Sequence, residues 1–414
     1  MRKILYKMAI EANSYNIGCD DSEKMLHVCK SITMVSQQRI FFDFLQFCIG
    51  SVADIPASVK DADWKVLYAI AKKQALLGVL FYGIRRLPKE LAPEQKLLMQ
   101  WMVMAEQIRK QNIRLFQDSV KVCQNFENEG FANCILKGQG NALLYPDPYM
   151  RTPGDIDIYL AGGRKRVMQY INKVCPNQVM RYHHVDFPVM KTAIEAHFTP
   201  SYMFCPIHNR RMQKWFEEVM GEQCNHRGSL PDGYGEIHVP QVSFNVIYIL
   251  SHLYRHIFTE GIGLRQLLDY YFVLVKWHTD LTNLTDSNKS LPQMTEINTD
   301  LDALRHKLKY LGLWKFAQAV MFVMKEVFGL SEDRMIAPMD EREGRFLLAE
   351  IMRGGNFGQY DDRMGSKIGE SKMHRYFRMN LRNLRFVKHY PTEALSEPLF
   401  RTWFAVWKKI HGIK

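Results

Sequence analysis

At 414 residues, with 47% hydrophobic and 24% charged side chains, the chain is long enough for two or three cores and too apolar to stay unfolded. It holds no apolar run of about 18 residues that would make a transmembrane helix, and its eight cysteines include no Cys-x-x-Cys pair. A disulfide framework is thereby excluded, reduced thiols are expected, and a cytoplasmic location with them. The net charge of +12 is concentrated at one end, because Arg363 to Lys414 holds twelve Lys or Arg against three Glu.

Residues 1–38 read as an N-terminal extension, since Lys7 and Glu11 interrupt any signal-like apolar stretch. Residues 39–130 are expected to be helical. Apolar side chains recur there at three- and four-residue spacing, and Pro56 and Pro88 mark breaks. Pro93 opens a long amphipathic helix whose stripe includes Leu97, Trp101, Met104, Ile108, Ile113, Phe116 and Val120. Such a stripe is core material, and no chemistry is assigned to it.

The informative stretch is Cys134–Leu160. A short strand, Ala132–Leu136, runs into Lys137-Gly138-Gln139-Gly140 and a helical turn, Asn141–Tyr145. A strand feeding a Gly-rich turn offers backbone N–H groups to phosphate oxygens. After the turn-forming Pro146-Asp147-Pro148 and Pro153-Gly154 comes Asp155-Ile156-Asp157-Ile158-Tyr159-Leu160. Strand alternation sends Ile156, Ile158 and Leu160 to the core and leaves Asp155 and Asp157 on the other face. Two carboxylates opposite a phosphate cradle can hold Mg²⁺ against a nucleoside triphosphate. The plainer reading is an exposed edge strand with two solvated carboxylates. Other acid-x-acid triplets, such as Asp61-Ala-Asp63 and Glu341-Arg-Glu343, lack the Gly-rich turn and read as helix faces or caps.

Beyond Gly162-Gly163, a basic helix at Arg164–Val174 precedes two strand patterns, Gln178–Phe187 and Lys191–Phe198, joined at Pro188. In the second, Ile194, Ala196 and Phe198 face inward while Glu195 and His197 face the cleft, which makes Glu195 the natural third carboxylate. His183, His184, Cys205-Pro-Ile-His208 and Cys224-Asn-His226 raise the question of zinc. The second spacing is tighter than structural sites use, so a surface insertion is the preferred reading. Residues 240–360 return to a helical pattern. Arg265 and Asp269 share one helix face, as do His252 and His256; an intrahelical ion pair and surface imidazoles compete there with cleft-lining roles. Thr279–Asp300 reads as a polar loop, and Gly354–Gly358 as a tight turn.

Lys137-Gly138, Tyr145-Pro146, Arg151 and Asp155-Ile-Asp157, with Glu195-Ala-His197 and Gly263-Leu-Arg265…Asp269 further on, resemble the uncharacterised nucleotidyltransferase family of the DNA polymerase β-like superfamily. The resemblance spans about Phe41 to Gly358. It departs where Gln139 follows Gly138, since the superfamily usually has Gly or Ser there. It implies an α+β fold, with a small mixed-sheet core at residues 131–239 between helical segments at 39–130 and 240–360. It also implies transfer of a nucleoside monophosphate from a triphosphate to an acceptor hydroxyl with Mg²⁺ or Mn²⁺. In that scheme Asp155, Asp157 and Glu195 hold metal, and Glu195 alternatively takes the hydroxyl proton. Gly138, Gln139 and Gly140 grip phosphates through the backbone, Lys137 and Arg151 neutralise them, and His197, Arg265 and Asp269 line the cleft. The acceptor is a protein, sugar or other small molecule. A degenerate relative acting as a nucleotide- or protein-binding module is the alternative.

The basic tail, residues 361–414, contains an amphipathic pattern at Gly369–Tyr390. Met373, Phe377, Leu381, Leu384 and Val387 share one face, and Arg375, Arg378, Arg382 and Arg385 another. Two readings compete: a helix packed on its own domain with a solvated basic face, or peripheral contact with an anionic membrane through that basic face. No base-reading module accompanies the charge, so sequence-specific nucleic-acid binding is not expected.

Overall fold

The computed structural model describes residues 19–287, 293–363 and 371–412. Helix comes first, as the periodicity predicts: α1 (Cys19–Ile49), α2 (Trp64–Lys73), α3 (Leu77–Ile84) and α4 (Gln95–Asn128). Helix α1 runs without a break across residues 38 and 39. Asp63 caps α2 by accepting from the Lys65 and Val66 N–H groups, which have no partner inside the helix. The stripe on α4 turns inward at Trp101, Ile108 and Phe116, and the Trp101 indole N–H donates to the Leu77 carbonyl at 2.8 Å.

The sheet follows, in the order β1-β2-β4-β3. Strand β1 (Asn133–Ile135) runs antiparallel to β2 (Ile156–Leu160), β2 runs parallel to β4 (Ile194–His197), and β4 runs antiparallel to β3 (His184–Asp186). A mixed sheet results, with α5 (Gln139–Ala142) and α6 (Gly163–Val174) in its connections. Ile156, Ile158, Leu160, Ile194 and Ala196 are buried, as the alternation requires. β3 and β4 are shorter than the expected Gln178–Phe187 and Lys191–Phe198. Arg181 N–H donates to the His184 carbonyl at 2.8 Å, so the first run folds back on itself. Pro188 then ends the pairing, having no N–H to give.

Helix α7 (Pro206–Gln223) leads to a two-stranded hairpin, β5 (Arg227–Ser229) and β6 (Glu236–His238), which the sequence does not announce. Three-residue strands carry too little alternation to register. The remaining elements are α8 (Val242–Thr259), α9 (Leu264–Ser287), α10 (Gln293–Tyr310), α11 (Trp314–Phe328), α12 (Glu341–Gly354), α13 (Lys372–Val387) and α14 (Pro391–Ile410). The expected loop Thr279–Asp300 is therefore helical through Ser287 and again from Gln293, and residues 288–292 lie outside the described residues. Thr279 and Thr282 tolerate the helix by donating back to the Val275 and His278 carbonyls, at 2.9 and 3.2 Å.

The early and late helices share one core that runs from Ile40 to Ala394. Buried Gln74 joins them, donating to the Ile351 carbonyl at 3.1 Å and accepting from Leu264 N–H at 2.9 Å. Helix α9 packs on the short helix α5 that follows the Gly-rich turn.

The tail departs most from expectation. Gly369 and Glu370 lie outside the described residues, and α13 starts at Lys372 with Ser371 as its cap. Three of its arginines face inward. Arg382 is buried and donates to the Thr259 carbonyl at 3.2 Å, Arg385 pairs with Glu350, and Arg378 donates to the Arg363 carbonyl. Met373, Phe377, Leu381 and Leu384 face outward, each more than half exposed. The reversal has an electrostatic cause: Glu350 and Asp361 sit beneath the helix and draw the guanidinium groups in.

Candidate active site

The Gly-rich turn and the acidic strand meet across one cleft. Leu136 N–H donates to the Asp157 carbonyl at 2.9 Å, which extends the β1–β2 ladder by a residue and sets Lys137 beside the Asp157 side chain. The Lys137 ammonium then lies 3.1 Å from Asp157 Oδ2 and 3.2 Å from His252 Nε2. Gly138 has φ of +65°, which reverses the chain at no steric cost to a residue without Cβ. Asp155 precedes the first residue of β2 and is only partly buried, whereas Asp157 is within the strand and 2% exposed.

Parallel pairing of β2 with β4 puts Glu195 directly opposite Asp157, and His197 opposite Tyr159. His197 Nε2 bridges the two acids, 3.0 Å from Asp157 Oδ1 and 3.4 Å from Glu195 Oε2. His184 Nδ1 adds a contact to Glu195 Oε2 at 3.2 Å and faces His183 Nε2 at 3.3 Å. The electrostatics follow from crowding. The neighbouring Asp157 charge, helped by burial and Glu195, lifts the Asp155 carboxyl to about 6 against the pull of Lys137. Asp157 stays far below the ordinary carboxylate range despite its burial, because Lys137 and His197 stabilise its charge. His197 is raised despite burial by the same two carboxylates. Burial drives His183 well below its ordinary value, and burial with the neighbouring His197 takes His184 to about 2.

The other expected residues divide. Gly138, Arg151, Asp155, Asp157, Arg265 and Asp269 line the cleft with Lys137, and so does Asn141. Gln139, Gly140, Glu195 and His197 do not; the last two stand behind Asp157 on the neighbouring strand. Gly140 turns toward β6, where an added Cβ would meet Val239 Cγ1 at 2.9 Å, so its smallness serves packing. Gln139 is 1% exposed and neither atom of its amide has a partner.

Arg265 and Asp269 form no pair with each other. Asp269 instead takes a two-pronged bond from Arg151, at 2.8 and 2.7 Å, and a third from the Tyr145 hydroxyl at 2.6 Å. That buried triad ties the turn Pro146–Gly154 to α9. It also commits one edge of Arg151, leaving its Nη1 buried without a partner. Arg265 donates to the Thr152 carbonyl at 3.3 Å and lies over the Phe357 ring, 5.4 Å from its centre.

Sequence reasoning missed part of the wall. Tyr248 and His252 come from α8, and both are buried, so His252 and His256 are not surface imidazoles. Phe357, in the turn Asn356–Gly358, closes another side. That turn reaches the site because Gly263 and Gly358 lack side chains: a Cβ on Gly263 would meet Asn356 Cα at 2.7 Å, and one on Gly358 would meet the Glu260 carbonyl at 1.9 Å. Gly358 also faces Gly261, whose added Cβ would meet Gly358 Cα at 3.3 Å, and such a meeting of distant glycines is invisible to any local pattern. The four-ligand set of Cys205, His208, Cys224 and His226 is not brought together. Among the described residues Cys205 and His208 cluster with Glu393, and not with Cys224 or His226.

A sequence profile described as an uncharacterised nucleotidyltransferase matches residues 60–329, well over half of the chain. The protein belongs to the uncharacterised nucleotidyltransferase family. No curated protein and no solved structure matches the chain. The match embraces every residue of this nucleotidyltransferase's cleft described so far except the Phe357 turn, and it ends before the inverted tail helix.

The carboxylates suit a divalent cation in kind. Asp155, Asp157 and Glu195 are hard oxygen donors, and the raised Asp155 carboxyl records negative charge that a cation would relieve. Their present partners are all cationic or imidazole groups. Lys137 holds one oxygen of Asp157 and His197 the other.

Proposed function

We propose that this nucleotidyltransferase moves a nucleoside monophosphate from a nucleoside triphosphate to an acceptor hydroxyl, with residues 131–239 as a polymerase β-like core. The observation that carries the reading is the β2–β4 register, which sets Glu195 opposite Asp157, whose own side chain lines the cleft with Lys137 and Gly138. Mg²⁺ or Mn²⁺ held by Asp155, Asp157 and Glu195 would neutralise phosphate charge there. Lys137, one-fifth exposed and already at the site, exchanges its Asp157 contact for triphosphate oxygens. Arg265 and the free edge of Arg151 offer further positive charge from the opposite wall. Glu195, half-buried and aligned by His184 and His197, is positioned to take the acceptor proton. The acceptor oxygen bonds to the α-phosphorus as the bond to pyrophosphate breaks. The acceptor belongs to the proteins, sugars or other small molecules.

A second reading is favoured by one pair of facts. The cleft as it stands holds about 30 Å³, where a nucleotide needs hundreds, and Lys137 already neutralises Asp157. A protein-binding module would tolerate both; an enzyme or a nucleotide-binding module must open the cleft. Incubation with α-labelled ATP, GTP, CTP and UTP, with Mg²⁺ or Mn²⁺ and candidate acceptors, separates the readings. Label transfer lost in Asp157→Asn supports the enzyme. Triphosphate-dependent thermal stabilisation without turnover supports the binding module.

A further inference from the structure

We infer that the C-terminal helical hairpin, α13 and α14, is a docking surface for an anionic lipid bilayer, and that it rests on the membrane with its apolar face and not with its arginines. Both helices turn a stripe of large apolar side chains to solvent. On α13 these are Phe377, Leu381 and Leu384, 58 to 69% exposed. On α14 they are Leu399, Trp403 and Ile410, 52 to 74% exposed. Spacings of three, four, seven or eight residues keep each set on one helix face. Isolated exposed apolar residues need no explanation, but a stripe along each of two helices that pack on one another is of the kind that marks an interaction site.

Charge selects the occupant. The only carboxylates between Ser371 and Lys414 are Glu393 and Glu397, and both are 1% exposed. Glu393 is consumed inside, accepting from the Phe204 and Cys205 N–H groups and pairing with His208 at 3.0 Å; Glu397 pairs with Arg401. The charged groups left at the rim of the apolar stripes are cationic: Lys388, which continues the α13 stripe, and Lys409, which flanks the α14 stripe. A second copy of this face would bring like charges together. An anionic bilayer matches both features, taking Leu, Phe and Trp side chains at its acyl boundary and lysines at its phosphates. No described helix is long and apolar enough to cross a membrane, so the geometry is one of lying on the surface. The hairpin is held rigidly for this from behind, where Phe400 stacks on Tyr202 at 5.1 Å and Tyr182 packs against Phe404 at 5.6 Å.

Sedimentation of the full chain with phosphatidylcholine vesicles, with and without about a third phosphatidylglycerol, tests the inference. Binding is expected only with the anionic vesicles. Leu399→Asp with Trp403→Asp is expected to weaken it about tenfold or more, and Lys388→Glu with Lys409→Glu by a similar factor. Should the α14 pair lower the melting temperature, Leu381→Asp on α13 gives an independent reading of the same face. Met99→Asp with Val103→Asp, on the exposed side of α4, is expected to change nothing. Failure of the wild type to bind anionic vesicles overturns the inference. Equal binding to neutral vesicles, or a concentration-dependent dimer abolished by the same α14 substitutions, does so too. Because none of these residues lines the cleft, the outcome is independent of whether transfer is observed.

Discussion

Strand β2 and helix α13 are both amphipathic in sequence, and they resolve that amphipathicity in opposite ways. β2 buries Ile156, Ile158 and Leu160 and turns its carboxylates to the cleft. α13 buries Arg382, draws Arg378 and Arg385 inward, and turns Phe377, Leu381 and Leu384 to solvent. The difference lies in what each polar face meets. Across from β2 stand a strand and loops whose apolar faces form the core, so the hydrophobic term decides. Beneath α13 stand buried Asp361 and half-buried Glu350, two carboxylates with Arg363 as their partner from outside the helix, and neutralising the second charge outweighs leaving four apolar side chains wet. A periodic pattern therefore defines two faces, while the neighbours decide which one is inside.

The largest effect expected on the strand side is chemical. Asp157→Asn is predicted to lower any label transfer by about a thousandfold or more while leaving the melting temperature within a few degrees, since it removes an anionic oxygen from the phosphate site. Glu195→Gln should reduce turnover by about a hundredfold yet retain triphosphate binding, whereas Asp186→Asn should be nearly silent, being less buried and at the end of the edge strand β3. If single-turnover assays show Asp186 essential and Glu195 dispensable, the cleft face of the β3–β4 pair has been misassigned.

On the helix side the expected effect is on stability. Asp361→Ala strands the Arg363 guanidinium, bonded to it at 2.7 Å, and removes a partner from Arg382 and Arg385; a cost of about 3–5 kcal/mol in urea unfolding is expected. Leu381→Asp, on the outward face, should cost under about 0.5 kcal/mol. An apolar-face-inward arrangement would reverse that order, so the pair of measurements is decisive for the inversion.

Smaller, and spread over a pH range, is the effect of the buried imidazoles of α8. Burial holds His256 down to about 4 and His252 well below its ordinary value, with nearby Lys137 and Arg255 adding to it. Below pH 6.5 the unfolded chain therefore binds protons that the folded chain does not, and stability falls as pH drops. For His256 the loss between pH 6.5 and 4 is on the order of 3 kcal/mol. A melting temperature that stays flat across this window, or rises toward acid, would show these rings to be solvated. His256→Gln should flatten the slope.

Sequence alone determined what depends on near neighbours. The alternation at Asp155–Leu160 and Ile194–Phe198, the positive φ that Gly138 needs, the Asp63 cap and the α4 stripe each express forces acting within a turn or a strand. The family's extent, residues 60–329, is likewise carried by the linear pattern. What tertiary structure decided are pairings between distant parts of the chain: Asp269 with Arg151 in place of Arg265, Phe357 brought to the cleft by glycines facing one another, Lys137 laid on Asp157, and the buried glutamate and aspartate that turn α13 over. Those choices compare the burial of one group with the desolvation of another many residues away. No local pattern contains that balance, because both members of each pair must be placed before either energy exists.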